Sequence, residues 1–193
     1  MINKDVNTRD LPSGPDGSEG WLETYNQNFF FYLEKNPENI DIEDIAQGLS
    51  NLCRFTGQVK EFYSVAQHSC IICDYAPEHL KLIGLLHDGA EAYISDIPRP
   101  VKGLISQIKE LEVSIQIQIA DKFKLTFPYS GQIDILDAQL MLAEADQLFN
   151  HRVSWQVEGL DPLDVIIEEC WAPPRAKKEF MTRFEELYDG KID

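Results

Sequence analysis

Leu82-Ile83-Gly84-Leu85-Leu86-His87-Asp88-Gly89-Ala90-Glu91-Ala92-Tyr93 is the stretch around which the chain is organised. An apolar run leads into a histidine, an aspartate and, one helical turn later, a glutamate. A core helix normally keeps acids out, because burying an unpaired carboxylate is expensive. Metal coordination makes such a cluster tolerable, so the reading moves outward in search of further ligands. His87 and Asp88 are adjacent, and on a regular helix their side chains point about 100° apart. Both reach one ion only at the rim of the helix, or when other ligands approach from the side.

The flanking sequence predicts helices. Asp41 is placed as an N-cap, and Ile42, Ile45, Ala46, Leu49, Leu52 and Cys53 follow at helical spacing. Ser64 opens a second helix, with Gln67 three residues on as a capping box. Pro77 begins a third, running through Leu80, Ile83, Leu86 and Ala90 to about Ile94, where Pro98 and Pro100 break the pattern. A long helix is expected from about Leu104 to Phe123, another from about Ile133 to Asn150, and a last one from Pro173 or Pro174 through Leu187. Asn28 to Leu33 is a short aromatic, strand-like piece, and Val165-Ile166-Ile167 is a candidate extended stretch. There is no βαβ alternation and no dinucleotide glycine fingerprint, so the fold class is all-α, a helical bundle. Residues 1–24 read as a flexible N-terminal arm, and 25–193 as a single domain.

Composition narrows the partners. Lys and Arg total 17 against 33 Asp and Glu, a net charge of −16. That disfavours a nucleic-acid polymer, which is bound through cationic contacts to phosphates. A small phosphorylated ligand needs only a few local cations. No apolar run approaches the roughly 18 residues of a spanning helix, and Met1 to Glu19 lacks the apolar stretch of a signal peptide. A cytoplasmic location and no membrane partner are expected. Four cysteines form no dense disulfide framework.

His68, on the preceding helix, supplies a second imidazole. A further acid is available from the Ile133–Asn150 helix, at Asp137, Glu144 or Asp146. Two imidazoles and two carboxylates form a mixed nitrogen and oxygen set, suited to Mn²⁺, Fe²⁺, Co²⁺, Ni²⁺ or Zn²⁺. Such an ion lowers the pKa of water and polarises a phosphoryl oxygen. Taken singly, His68, His87 and Asp137 would each pass for ordinary polar residues; the density of His87, Asp88, Glu91 and Asp96 beside apolar sequence changes that. The Cys70/Cys73 pair lies inside a predicted helix with no partner pair, and core packing is preferred to a zinc site. Trp155 and Trp171 are expected to be packing anchors rather than stacking platforms.

The order His68 … His87-Asp88 … Asp137 resembles the signature of the HD-domain metal-dependent phosphohydrolases. Longer blocks support it: Tyr63-Ser64-Val65-Ala66-Gln67-His68-Ser69, Leu86 to Tyr93, and Ser95-Asp96-Ile97-Pro98-Arg99-Pro100-Val101-Lys102. These are similar to the subgroup of bacterial 5′-deoxynucleotidases and phage dATP triphosphohydrolases. The resemblance spans about Asp41 to Leu148, and more weakly the tail around Trp171.

That resemblance implies an HD-domain helical bundle with His68, His87, Asp88 and Asp137 as metal ligands. The ion would be Co²⁺, Mn²⁺, Zn²⁺, Fe²⁺ or Ni²⁺, with a further Mg²⁺ or Co²⁺ arriving with substrate. Glu91 corresponds to an acid that orients water or helps hold a second ion, and Asp96 to the acid that moves a proton near the scissile phosphate. Arg54 and Phe55 correspond to a phosphate-binding arginine and an aromatic wall that disfavours a 2′-hydroxyl; relatives often carry Trp at the second place. Lys102 corresponds to a phosphate-binding lysine, with Arg99 a weaker candidate. Asp134 stands where relatives often have lysine, which counts against a long phosphate chain.

The implied activity is hydrolysis of deoxynucleotides. Release of deoxynucleoside and triphosphate from a dNTP, dATP first, is ranked ahead of release of phosphate from a deoxynucleoside monophosphate. A non-catalytic nucleotide-binding protein is the alternative of another class. Oxidative di-iron chemistry needs more histidines than this chain places near the site. A homo-oligomer is implied by analogy.

Overall fold

The computed structural model of the protein describes residues 20–151, 153, 155–188 and 190. The expected N-terminal arm therefore lies mostly, over 1–19, outside the described residues. Its end is not loose: Trp21–Glu23 (β1) pairs antiparallel with Phe29–Phe31 (β2), Leu22 opposite Phe30. Phe30 is fully buried and its ring lies 4.3 Å from that of Tyr93, so one aromatic side chain fixes the hairpin to the core. Among the described residues everything else regular is helical: Ile42–Asn51 (α1), Val65–Tyr75 (α2), Lys81–Leu86 (α3), Glu91–Ile94 (α4), Arg99–Leu104 (α5), Ser106–Phe123 (α6), Gly131–Leu148 (α7) and Pro173–Leu187 (α8), besides short 3₁₀ turns. The fold is thus mostly helical with one small hairpin, and Val165–Ile167 joins no strand.

The caps form where side-chain chemistry asks for them. Asp41 accepts from the N–H groups of Glu43 and Asp44, and Ser64 accepts from Gln67 N–H at 3.1 Å. These bonds satisfy donors that a helix N-terminus leaves open. Only half of the expected capping box exists, because the Gln67 side chain turns elsewhere. Its Nε2 donates to Glu169 O at 2.8 Å and its Oε1 accepts from Trp171 N–H at 2.7 Å. Pro98 and Pro100 do not simply end order; Pro100 sits in the first turn of α5, where a missing N–H costs nothing. The long helix expected from about Leu104 is α6, which starts at Ser106; the short α5 before it was not expected.

Helix α2 is the centre of the bundle, packed by α1, α3, α7 and α8. One core joins Ile45, Leu49, Val65, Leu85, Leu86, Ile115, Ile119 and Phe180; a smaller one gathers Ile72, Leu80, Ile133 and Leu140. Cys70 and Cys73 are free, buried and part of the first core, which matches the packing reading. Between α1 and α2 the chain doubles back: Arg54 N–H donates to Tyr63 O at 2.9 Å and Val65 N–H to Leu52 O at 3.1 Å. That return sets Arg54 beside the start of the helix that carries His68.

Candidate metal centre and its cavity

The third helix is not continuous: α3 ends at Leu86 and α4 begins at Glu91. After α3 the chain closes in i→i+3 hydrogen bonds: Gly89 N–H to Leu86 O, Glu91 N–H to Asp88 O (both 2.9 Å) and Tyr93 N–H to Ala90 O at 3.0 Å. This tighter winding replaces the regular α-helix over His87–Ala90. It brings Asp88 Oδ2 to 3.2 Å from His87 Nε2, so adjacent residues meet. Gly89 permits the crowding, because a Cβ there would stand 3.0 Å from both Ile119 Cδ1 on α6 and Leu86 O.

Two helices deliver the remaining donors. His68 of α2 is fully buried; its Nε2 lies 3.2 Å from Asp137 Oδ1 of α7 and 3.6 Å from Asp88 Oδ2. The two imidazole rings are 5.4 Å apart. One ligand atom each from His68, His87 and Asp137 falls within 4.8 Å of the others. Both histidines are held from behind. His68 Nδ1 meets Glu144 Oε1 at 2.7 Å, and His87 Nδ1 meets Gly84 O at 2.8 Å. A carbonyl can only accept, so His87 Nδ1 carries the proton; the Glu144 carboxylate fixes His68 the same way. In the neutral tautomer so fixed, each Nε2 would present a lone pair; both atoms are buried, without a hydrogen bond, and 3.2 Å from a carboxylate oxygen.

Two buried, unpartnered lone pairs aimed at a pair of carboxylates fit a divalent ion. Carboxylate or carbonyl partners behind ligating histidines are the usual support for one. The electrostatics agree. Burial would raise the Asp88 and Asp137 carboxyls, yet the imidazoles outweigh it, holding Asp137 at about 2 and Asp88 lower still, with help from Arg54. Burial and Arg54 disfavour imidazolium at His68, but Glu144 and Asp137 raise it to about 9. The place is built to hold positive charge.

Glu144 has a larger part than the sequence suggested, where it was one of three possible ligands on its helix. It is fully buried and receives Arg54 Nε at 3.1 Å, Arg54 Nη2 at 3.0 Å and the Tyr63 hydroxyl at 2.9 Å, besides His68. Asp146 is exposed on the opposite side. A carboxylate seven residues after Asp137, two turns along α7, was the available signal.

Above these groups opens a cavity of about 960 Å³, bordered by Arg54, Phe55, Asp88, Glu91, Asp96, Lys102 and Asp137. Every sequence-predicted site residue except the two histidines lines it, and the histidines lie at its base beside Asp88. Arg54 turns one edge to Glu144 and leaves Nη1 3.6 Å from Asp88 Oδ2. Lys102 is not free: its Nζ lies 3.2 Å from Glu91 Oε1 and 2.5 Å from Glu112 Oε1. Arg99, 64% exposed along its side chain, pairs with Asp137 Oδ2. Burial raises the carboxyls of Glu91 and Asp96; Asp88 adds to both and Lys102 opposes. One oxygen of Glu91 is buried with no partner.

Backbone strain brackets the cavity. Ser95 has φ 75° and ψ 159°, a region almost reserved for glycine, and it aims the chain into Asp96. Phe55 and Thr56 both lie in the left-handed region, at φ 54° and 53°. For a bulky and a β-branched residue this is a genuine outlier. Strain of this kind persists only where surrounding structure over-determines it, and it gathers at ligand sites. Trp171 packs against the core with the Arg175 guanidinium 5.1 Å from its ring. Trp155 does not follow the anchor expectation: it is 46% exposed and lines the cavity.

No family model matches the chain. It is 34% identical over 169 residues to the uncharacterized protein YfdR of Escherichia coli K12, covering 86% of this chain and 95% of that one. It is 30% identical over 174 residues to the uncharacterized protein RCAP_rcc00048 of Rhodobacter capsulatus, covering 80% of this chain and 89% of that one. The chain belongs to the family of YfdR.

Proposed function

We propose that this member of the YfdR family is a metal-dependent phosphohydrolase of HD-domain type, acting on the 5′-phosphate ester of a deoxynucleoside monophosphate. The observation that carries the reading is the convergence of two buried, unpartnered imidazole Nε2 atoms on Asp88 and Asp137, at the base of a cavity with arginine and lysine in its wall. His68, His87, Asp88 and Asp137 would hold the ion, which supplies a nucleophilic water at neutral pH and polarises the phosphoryl oxygen. Arg54 offers its remaining N–H groups to the phosphate while Glu144 fixes its plane. Asp96, whose carboxyl is raised by burial and by Asp88, would give a proton to the departing 5′-oxygen. Glu91 holds Lys102 against the phosphate. Phe55 stands where the sugar would lie and disfavours a 2′-hydroxyl.

The cavity wall carries six carboxylates (Asp88, Glu91, Asp96, Glu112, Asp134, Asp137) against four cations (Arg54, Arg99, Lys102, Lys109). We read that ratio as suiting a single phosphate better than three, and so rank the monophosphate ahead of the triphosphate expected from sequence. Triphosphate release remains the second reading, favoured by the exposed Arg99 and Lys109, which could meet outer phosphates. Purified protein given Co²⁺ or Mn²⁺ and each deoxynucleotide separates the two. Free phosphate from dAMP with intact dATP is expected; triphosphate from dATP would favour the second reading. Binding of metal and nucleotide without any product would favour a non-catalytic nucleotide-binding protein.

A further inference from the structure

The cavity is lined by two unlike kinds of residue. Its lining includes acids with Arg54 and Lys102, among them the candidate ligands Asp88 and Asp137, and a second group of Phe55, Trp155, Gln156 and Val157. Phe55, Phe149 and Trp155 are mutual neighbours, with ring centroids 5.3 Å (Phe55–Phe149), 5.8 Å (Phe55–Trp155) and 5.4 Å (Phe149–Trp155) apart, all tilted or edge-on. The two phenylalanines are partly buried, and Trp155 keeps nearly half its surface open. Holding Phe55 and Thr56 in left-handed backbone costs stability, and so does leaving a large indole exposed. Neither contributes to the core, which lies elsewhere.

We propose that Trp155, supported by Phe149 and Phe55, is the surface on which the base of the substrate stacks, and that the Gln156 amide meets the edge of that base. This rests on the deoxynucleotide reading of the same cavity. Phe55 carries the link: its ring is 5.3 Å from the Arg54 guanidinium on one side and 5.8 Å from Trp155 on the other. A ligand with phosphate at Arg54 and sugar over Phe55 therefore presents its base to Trp155. Stacking accepts any base through its π-face, so a shared preference for bases is expected, with Gln156 adding only modest selection.

Two measurements separate this inference from the reaction. The first compares dAMP with 2-deoxyribose 5-phosphate, which lacks the base, for the full-length metal-loaded protein and for Trp155→Ala and Trp155→Phe. Trp155→Ala is expected to raise KM for dAMP about tenfold, to leave the sugar phosphate unchanged and to be rescued by Trp155→Phe. The second titrates deoxyadenosine, which has no phosphate, and follows the Trp155 indole N–H by NMR. A shift in that resonance is expected, and would support the stacking surface even if no phosphoester were cleaved. Equal KM for dAMP and the sugar phosphate in wild type and Trp155→Ala, with an unmoved indole signal, would overturn the stacking surface and leave the phosphohydrolase reading intact.

Discussion

Glu144 Oε1 lies 2.7 Å from His68 Nδ1 while Oε2 of the same carboxylate takes Arg54 Nε at 3.1 Å. One fully buried side chain thus sets both a candidate metal ligand and the arginine above it. Glu144→Gln leaves the volume and removes the charge, so Arg54 becomes a buried cation without a full partner. A loss of about 3–5 kcal/mol in stability is expected, together with a 10- to 100-fold fall in metal affinity. Chemical denaturation and metal titration by calorimetry check the two effects separately.

The ligand set predicts thermal stabilisation by metal. An ion that binds only the folded state adds about 2.7 kcal/mol at one hundred times its Kd. Co²⁺ or Mn²⁺ should raise Tm of the wild type and fail to do so for His87→Ala or His68→Ala, and elemental analysis should find the ion absent from both variants. An equal Tm rise in all three proteins would place the ion elsewhere.

Asp96 gives a pH signature. Its carboxyl is raised by burial and by Asp88, despite Arg54 and Lys102. The protonated form therefore persists to higher pH than in a free aspartate, and the proton donor is lost as pH rises through the shifted value. A rate profile against pH should show a falling alkaline limb assigned to this group. Asp96→Asn should lower kcat by about 10²–10⁴-fold and abolish that limb while leaving metal content unchanged.

Ser95 tests whether strain serves the site. Ser95→Gly relieves a backbone conformation that costs about 1–3 kcal/mol, offset by the greater freedom of glycine in the unfolded chain. A net gain near 1 kcal/mol, or roughly 2–4 °C in Tm, is expected. The same change loosens the approach to Asp96, so kcat should fall as Tm rises. A variant that gains both would show the strain to be incidental.

Much of the fold was legible because its signals are local. Asp41 and Ser64 cap the helices they were expected to cap, and the apolar spacing located α1, α2, α6, α7 and α8 to within a few residues. The third helix failed at the most informative place. Periodicity continues through His87 to Ala90, and nothing in it reports that Ile119 crowds Gly89 and the winding tightens. The adjacency of His87 and Asp88, awkward on a regular helix, was a clue to that break. The cavity residues close to the ligand blocks were readable from sequence; Glu144 was only one of three candidates, and Glu112 and Trp155 were not singled out for the site, because their contacts reach across 76, 10 and 100 residues of sequence. Charge type alone cannot announce that Lys102 is already shared between two carboxylates.

The Gln67 side chain bonds the backbone at both Glu169 and Trp171, one residue before His68 in sequence. Helix α8, which follows, places Ala176, Phe180 and Phe184 in the same core as Val65 and Cys70. The segment synthesised late therefore clamps the helix that carries an early ligand. During translation His68 leaves the ribosome long before its support does, and Asp137 and Glu144 emerge in between. A nascent chain lacking α8 has every candidate ligand and an unclamped α2. The packing that steadies α2 is thus supplied by chain that follows all four candidate ligands in sequence.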